Sequence, residues 1–183
     1  MVELDEQALA EQAKRGDDRA FTRLVEMYER VIYNLALRMT NDREDARDIA
    51  QTVFVKAFQK LRSFDPRYRF FSWIYRIGVN ECLNHRARSR RHEELDPDLM
   101  SEGDEGDADE RACTLLRSEA IEDSLMNLSV DYRTVIILRH FLELNQAEMA
   151  QILELPEKTV KSRLHTARQL MAGLLGRRGI HQS

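Results

Sequence analysis

The chain has 183 residues, 43% of them hydrophobic and 33% charged, with 7 Gly, 3 Pro, 2 Cys and a formal net charge of −4. That length admits one domain of ordinary size or two small ones, and so little Gly and Pro weighs against an all-β sandwich, which leaves helices as the expectation. No stretch approaches the roughly 18 apolar residues of a membrane span, the acidic start MVELDEQALAEQAKRGDD is unlike a secretory leader, and Cys82 and Cys113 form no CxxC or Cys/His cluster, so a cytoplasmic protein with no disulfide or zinc site is expected.

Residues 5–15 read as a short helix closed by Gly16. From Asp17 or Asp18 as N-cap, Phe21, Leu24, Tyr28, Val31, Ile32 and Leu35 recur at helical spacing for about five turns. Thr40, Asn41 and Asp42 break the pattern. Ala46, Ile49, Ala50, Val53, Phe54, Ala57, Phe58 and Leu61 then form a second apolar stripe, expected to pack on the first. The opposite face of that helix carries Asp45, Asp48, Gln51, Thr52 and Lys56, and reads as a solvated face or as a docking face.

In SFDPRYRFF, residues 63–71, Asp65-Pro66 forces a turn among four aromatics, two arginines and an aspartate. Rings interleaved with Arg are what stacking on unpaired bases beside phosphates requires, at about 1 to 3 kcal/mol per stacked base. The alternative is that Phe64, Phe70 and Phe71 close the core, as at least one of them is expected to do. A helix from Ser72 to about His92 directs Trp73, Ile74, Ile77 and Leu83 toward the core and Tyr75, Arg76, Asn80, Asn84 and Arg86 elsewhere. It ends as HRARSRRH, with more cations than a helix C-terminus alone calls for, and this suggests phosphates.

The net charge hides a partition. Residues 1–92 carry +4, residues 93–115 carry −9 with ten acids against Arg111, and residues 116–183 carry +1. The acidic strip has too little apolar surface to fold alone and is expected to be a solvated linker that keeps two globular parts apart. Helical spacing resumes at about Arg111 with Leu115, Ile121, Leu125 and Leu128, and Ser129 reads as the N-cap of a helix bearing Val135, Ile136, Leu138 and Phe141. Asn145-Gln-Ala-Glu148 matches a capping box and opens a short helix with Met149, Ala150, Ile152 and Leu153 inward. Glu154 and Leu155 turn the chain and Pro156 restarts it, which is a helix-turn-helix signal. From 157 onward Val160, Leu164, Ala167 and Met171 share one face, while Lys158, Lys161, Ser162, His165 and Arg168 lie opposite. A recognition helix in a DNA groove needs this division, although an amphipathic hairpin with a basic face would share it.

Three segments taken together resemble the extracytoplasmic-function (ECF) sigma factors of bacterial RNA polymerase. DREDARDIAQTVFVKAFQKL (42–61) resembles the family's polymerase-binding helix, FFSWIYRIGVNECLNHRARSRR (70–91) its promoter-melting and minus-10 segment, and LNQAEMAQILELPEKTVKSRLHTARQLM (144–171) its minus-35 helix-turn-helix. The resemblance implies an all-α fold of two small helical domains, 1–92 and 116–178, joined by the flexible acidic linker 93–115 and followed by a tail, 179–183. It implies promoter recognition on behalf of RNA polymerase in a stress or envelope response, with no catalytic residue, metal or cofactor. The partners it implies are the polymerase core (beta-prime clamp helices and beta flap), promoter DNA and an anti-sigma factor. Asp45, Asp48, Gln51 and Thr52 match the polymerase-binding positions. Phe64, Asp65, Arg67 and Tyr68 match the loop that captures a flipped base, and Arg76, Asn80, Asn84 and Arg86 the adjoining minus-10 face. Lys158, Thr159, Lys161, Ser162, Arg163, His165 and Arg168 match the minus-35 helix, with Arg163 at its flank.

Three positions depart from the family pattern. Glu154 stands in the turn where many members have Gly, at a steric cost if the residue is left-handed. Gly78 replaces the commoner Ala within the melting helix, at a cost of up to about 1 kcal/mol. Trp73 is followed by Ile74 where larger sigma factors carry paired rings, so Trp73 reads as core or as wedge. As a relaxed coil the linker spans about 25 Å, whereas promoter elements about two helical turns apart are separated by on the order of 70 Å. Polymerase would therefore have to hold it extended. Rival readings are a stand-alone operator-binding dimer, disfavoured by the lack of a long heptad repeat or second helix-turn-helix, and a mimic that sequesters an anti-sigma factor, disfavoured by the intact basic face. An enzyme is disfavoured by the scattered His85, His92, His140, His165 and His181 and the lack of a Gly-rich phosphate loop.

Overall fold

The computed structural model describes residues 6–93 and 112–177, with backbone alone at 90–93 and 112–118. The acidic strip between them, the Cys113 side chain and the tail after 178 lie outside the described residues. Within them the chain is helical, without a strand. Helices α1 (Glu6–Lys14), α2 (Asp18–Thr40), α3 (Arg43–Lys60), a 3-10 turn (Leu61–Ser63) and α4 (Phe70–Glu93) make a first unit. Helices α5 (Ala112–Met126), α6 (Val130–His140), α7 (Gln146–Leu153) and α8 (Glu157–Arg177) make a second.

Short-range chemistry sets most boundaries. Gly16, at φ 100, ends α1 and hands the chain to Asp17, whose carboxylate accepts from Arg19 N at 2.9 Å and Ala20 N at 3.2 Å to open α2. Asn41 closes α2 in the left-handed conformation, and Asp42 opens α3 by accepting from Asp45 N at 2.8 Å. Caps of this kind contribute about 1 kcal/mol each. Ser129 stands at the N-cap of α6 but makes no capping hydrogen bond through its side chain. Helix α4 begins at Phe70, two residues before the expected start.

In the first unit, Leu24, Ile32 and Leu35 of α2 meet a row of small or branched residues on α3, Ala46, Ile49, Val53 and Ala57, all buried. Helix α4 closes the bundle with Ile74, Val79 and Cys82. A Cβ on Gly78 would stand 3.2 Å from Leu35 Cδ2, so the absent side chain is what allows α4 to approach α2. One inward expectation is corrected. Phe58 is 53% exposed, because α3 buries the narrower row of Ala46 to Ala57, whereas Phe54 is partly buried and packs against that core as expected. Tyr75, expected elsewhere, packs edge-on against Tyr28, and burial pushes its hydroxyl up to about 12. The carboxylate of Glu81 is also buried, and Lys56 of α3 donates to it.

The second unit packs Leu125, Ile137, Leu138, Met149, Ile152, Val160, Leu164 and Ala167 into its centre. Its most buried large side chain is charged. Arg133 is fully enclosed and, among the described residues, forms no salt bridge with a carboxylate; it donates to Leu125 O at 2.8 Å and Met126 O at 2.7 Å in the last turn of α5, and to Leu128 O at 3.3 Å. A fourth bond, 2.7 Å long, reaches Met39 O at the end of α2 in the first unit. One guanidinium thus supplies donors and positive charge to the carbonyl ends of two helices.

The two units are not held apart, as a solvated linker leads one to expect. Their buried residues form one continuous apolar cluster, α7 lies along α4, and α5 and α6 rest against α2.

Candidate nucleic-acid interface

Helix α8 is the clearest surface. The reciprocal capping box at Asn145 and Glu148, with bonds of 2.9 and 3.0 Å, starts α7. Glu154 ends α7 in the left-handed conformation at φ 53, and Leu155 N closes onto Ala150 O at 3.1 Å. Pro156 then leads into α8, which buries Val160, Leu164 and Ala167 and leaves Lys158, Lys161, Ser162, His165 and Arg168 exposed on the other side. Thr159 and Arg163 lie at the edges, half-buried. Arg163 is partly engaged with Asp131 of α6 at 3.2 Å, and Arg168 donates to His140 Nε2 at 3.3 Å. Burial, Arg168 and Arg139 together lower the basicity of His140, in that order of size.

The loop ahead of α4 is held from behind by α1. Gln7 donates to the carbonyls of Pro66 and Tyr68, and Lys14 to that of Phe64. Periodicity gave no hint of this service from α1. Asp65 is clasped by Arg67, whose Nη2 stands 2.6 Å from Oδ2, and these hydrogen bonds hold the carboxyl down at about 2. The loop's rings divide. Tyr68 is 58% exposed, whereas Phe64, Phe70 and Phe71 are buried. Phe64, expected to face a base, instead packs against Phe70 at 5.6 Å and Trp73 at 5.3 Å. Trp73 is half-buried, with its ring on these two and an edge on a cleft of about 400 Å³.

From that cleft Arg76, Asn80 and Asn84 follow one another along α4 at steps of four, Arg76 half-buried and the two asparagines exposed, with Arg86 half-buried beyond. The far wall of the cleft is α7. On α3, Asp48 and Gln51 are exposed and Thr52 is half-buried, while Asp45 pairs with His85 of α4 at 3.2 Å. Gln51 borders a shallow groove of about 400 Å³ floored by Val25, Tyr33, Ala50 and Phe54. Exposed Val55 and Phe58, missed as surface residues, extend the apolar part of this side. Among the described residues no group of three His, Cys, Asp or Glu converges as metal ligands would, and no helix is long and apolar enough to cross a membrane.

Two family models match. Sigma-70 region 2 covers residues 24–92, and Sigma-70, region 4 covers residues 118–171. The chain is 35% identical over 181 residues to the RNA polymerase sigma-H factor of Pseudomonas aeruginosa, covering 92% of this chain and 93% of that one. It is 34% identical over 172 residues to the ECF RNA polymerase sigma factor SigW of Bacillus subtilis, covering 87% and 91%. Among solved structures, CnrH in complex with the cytosolic domain of CnrY matches with a TM-score of 0.73 at 29% identity, over 94% of this chain and 97% of that one.

Proposed function

The chain belongs to the extracytoplasmic-function sigma factors of bacterial RNA polymerase, and on that premise we propose that residues 1–92 bind the polymerase core and open the minus-10 element while residues 116–178 read the minus-35 element. As a sigma factor it directs core polymerase to specific promoters and initiates transcription; the factor itself performs no chemistry, and it works in the cytoplasm in a stress or envelope response. The observation that carries the assignment of residues is the division of α8, with five polar or basic side chains exposed on one face and Val160, Leu164 and Ala167 sealed on the other. Such a helix, following a tight turn from a short capped helix, presents base-reading groups along one line and phosphate-binding groups at its flanks. Lys158, Thr159, Lys161, Ser162, His165 and Arg168 face the minus-35 groove, and Arg163 reaches a phosphate at the edge.

Asp65, Arg67 and Tyr68 receive a flipped minus-10 base, Tyr68 stacking on it while buried Phe64 sets the loop's height from below. Arg76, Asn80, Asn84 and Arg86 follow the same strand along α4. Unpairing a base costs a few kcal/mol, a sum that one stacked ring and edge hydrogen bonds can return. Asp45, Asp48, Gln51 and Thr52, beside the apolar groove, meet the beta-prime clamp helices, and the second domain meets the beta flap. The likeness to CnrH, solved in complex with the cytosolic domain of CnrY, favours a further protein partner, and the family resemblance makes that partner an anti-sigma factor acting on the free chain. Pull-downs under stress and recovery that return polymerase alone would refute that partner.

The test of the main reading is run-off transcription from a pooled promoter library, using purified core polymerase with and without this protein, together with binding of the protein alone to the same DNA. Factor-dependent initiation with weak binding alone is expected. Tight binding alone without initiation would instead identify a stand-alone regulator.

A further inference from the structure

Helix α1 lies ahead of the Sigma-70 region 2 match, which begins at residue 24, and no residue of α1 lines the cleft at the start of α4. Its nine residues are fewer than the roughly 12–15 that a helix needs to hold its own shape in water, so α1 stands where packing puts it. Leu9, Ala10 and Ala13 are sealed in the core, with α2 as the main neighbour. That anchoring turns Gln7 and Lys14, both half-buried and about two turns apart on one face, toward the loop 64–69. Lys14 donates to Phe64 O where the loop starts, and Gln7 donates to Pro66 O and, at 3.1 Å, to Tyr68 O where it ends. Glu6, which accepts from the Tyr28 hydroxyl, stands 3.8 Å from Arg69 Nε and steadies the last residue of the loop.

The loop needs such a mount. Its own backbone is closed by a turn, Tyr68 N to Asp65 O at 3.0 Å, and Pro66 has no N–H to offer. Three alternate carbonyls, on Phe64, Pro66 and Tyr68, are instead held by side chains 50 to 61 residues away in sequence. On its other side the same loop presents its working groups: the Asp65 carboxylate, clasped by Arg67, and the Tyr68 ring, which border the cleft. A loop that is loose beforehand must give up backbone freedom when a base enters, and the entropy of fixing a few residues is comparable to what one stacked ring returns. Fixing the loop in advance removes that cost from capture. The Gln7 bonds lie at the surface, where a hydrogen bond adds little to global stability, so their effect falls on the loop more than on the fold.

Resting on the sigma-factor reading above, we infer that α1 is the mount of the base-capture loop: Gln7 and Lys14 are positioning residues that set Asp65, Arg67 and Tyr68 in place before the flipped minus-10 base arrives. They touch carbonyls of the loop and not the cleft, so they act through the loop and not on DNA. Lys14 adds charge as well as a hydrogen bond. After the Arg67 clasp, its ammonium further favours the ionised carboxylate of Asp65, which stays a hydrogen-bond acceptor. A cation in the last turn of a short helix would serve the helix dipole from any rotamer, and a surface glutamine could be satisfied by water. Their convergence on three alternate carbonyls of one loop assigns the role. Loss of the mount lowers the discrimination with which the base is held, and leaves polymerase docking, minus-35 reading and the fold in place.

The holoenzyme, core polymerase with the full chain, tests this on labelled single strands carrying the non-template minus-10 sequence obtained from the run-off transcripts. Each base in turn is replaced by an abasic site, and the captured position is the one whose loss weakens binding most. With the unaltered chain that loss is expected to be about five- to 150-fold, the range of one stacked base. In the double variant Gln7→Ala with Lys14→Ala the ratio of intact to abasic affinity should fall by about three- to tenfold, within the range of two surface hydrogen bonds, while affinity for the abasic strand stays within about twofold. Gln7→Glu keeps the size of the side chain but sets a carboxylate against the carbonyls, and should lower the ratio by itself. Lys14→Arg keeps a donor and should retain the ratio. Competition for core polymerase, minus-35 duplex binding and the tryptophan-fluorescence transition of the first unit should not move in any of these variants. An unchanged ratio in both the double variant and Gln7→Glu would overturn the inference. So would an equal weakening for intact and abasic strands, the mark of a phosphate contact or a disturbed fold. Should the unaltered holoenzyme bind the intact strand no better than core polymerase alone, or be indifferent to every abasic site, the sigma-factor assignment of the loop would fall instead.

Discussion

The two surfaces proposed to meet DNA are built on opposite plans. Helix α8 is convex, and its polar row stands in solvent with few partners, organised by helical period alone. The cleft at the start of α4 is concave, and its groups are already engaged: Asp65 with Arg67, Arg76 with Glu154, Phe64 and Trp73 with each other. A convex reader needs only a rigid helix at the right angle. A concave one must be shaped by everything around it, here α1 behind the loop and α7 across it, and it can therefore be shut. The difference suits the two tasks, since a minus-35 helix reads intact duplex whereas capture of a flipped base requires a pocket.

The largest effects should come from residues that support these surfaces without belonging to them. Arg133→Met leaves four carbonyl oxygens without their donor and two helix ends without their cation, and is expected to cost about 3–5 kcal/mol of second-unit stability. Trp73 is the chain's one tryptophan and lies in the first unit, so its fluorescence separates the units. The circular-dichroism transition should fall much further than the tryptophan transition. Phe64→Ala should do the reverse, at about 3–5 kcal/mol, because its ring is buried between Phe70 and Trp73. Equal displacement of both transitions in both variants would show a single cooperative body and remove the distinction between supports.

Next in size are the surface groups themselves. Tyr68→Ala removes an exposed ring, so stability should hardly change while minus-10 single-strand binding weakens by about 1–3 kcal/mol. Lys161→Ala should weaken minus-35 binding by about 1–3 kcal/mol with relaxed specificity if it touches a base edge. If it touches phosphate, the loss is uniform across sequences and the salt slope drops by about one. Measured against two promoter sequences at several salt concentrations, the pair asks whether the concave site depends on stacking and the convex one on charge.

Legibility in the sequence follows the same divide. The α8 face, the capping box, the Gly16 stop and a cap at Asp17 or Asp18 were readable because each is fixed within four or five residues of itself, whereas Asp42, equally local, was read as a break in the pattern and not as the cap it is. The loop was readable as a turn rich in rings, but not as one exposed ring and three buried ones. That sorting depends on where α4 begins and on α1, which grips the loop from about 60 residues away. Phe58 and Tyr75 were misplaced for a related reason: periodicity defines a stripe, whereas the neighbouring helix decides how wide a stripe is buried. Arg133 left no signal at all. An arginine within an apolar run reads as a helix's solvent side, and nothing in the run itself marks the four carbonyls that converge on it from two places in the chain. The contact between the units was hidden likewise, since the pairing of Arg76 with Glu154 joins residues 78 positions apart across the linker.

Acid should also separate the two units, by the smallest effect of the set. In the second, His140 is harder to protonate when folded than its ordinary value of 6.5, through burial and then Arg168 and Arg139. The unfolded chain therefore binds more protons in the interval below 6.5, so stability is full above 6.5 and declines as the pH falls through that interval. In the first, the Arg67 clasp holds Asp65 at about 2 against 3.8 when unpartnered, so its contribution persists until the pH drops below 3.8 and is lost toward 2. Between pH 7.5 and 5.5 the tryptophan transition of the first unit should stay flat with respect to Asp65, while the circular-dichroism transition drifts downward. His140→Gln keeps a polar side chain at the site and removes the titration, so the drift should diminish in that variant. Should it persist unchanged, the acid sensitivity of the second unit must come from elsewhere, and the neutral His140 beside Arg168 would be only a packing arrangement.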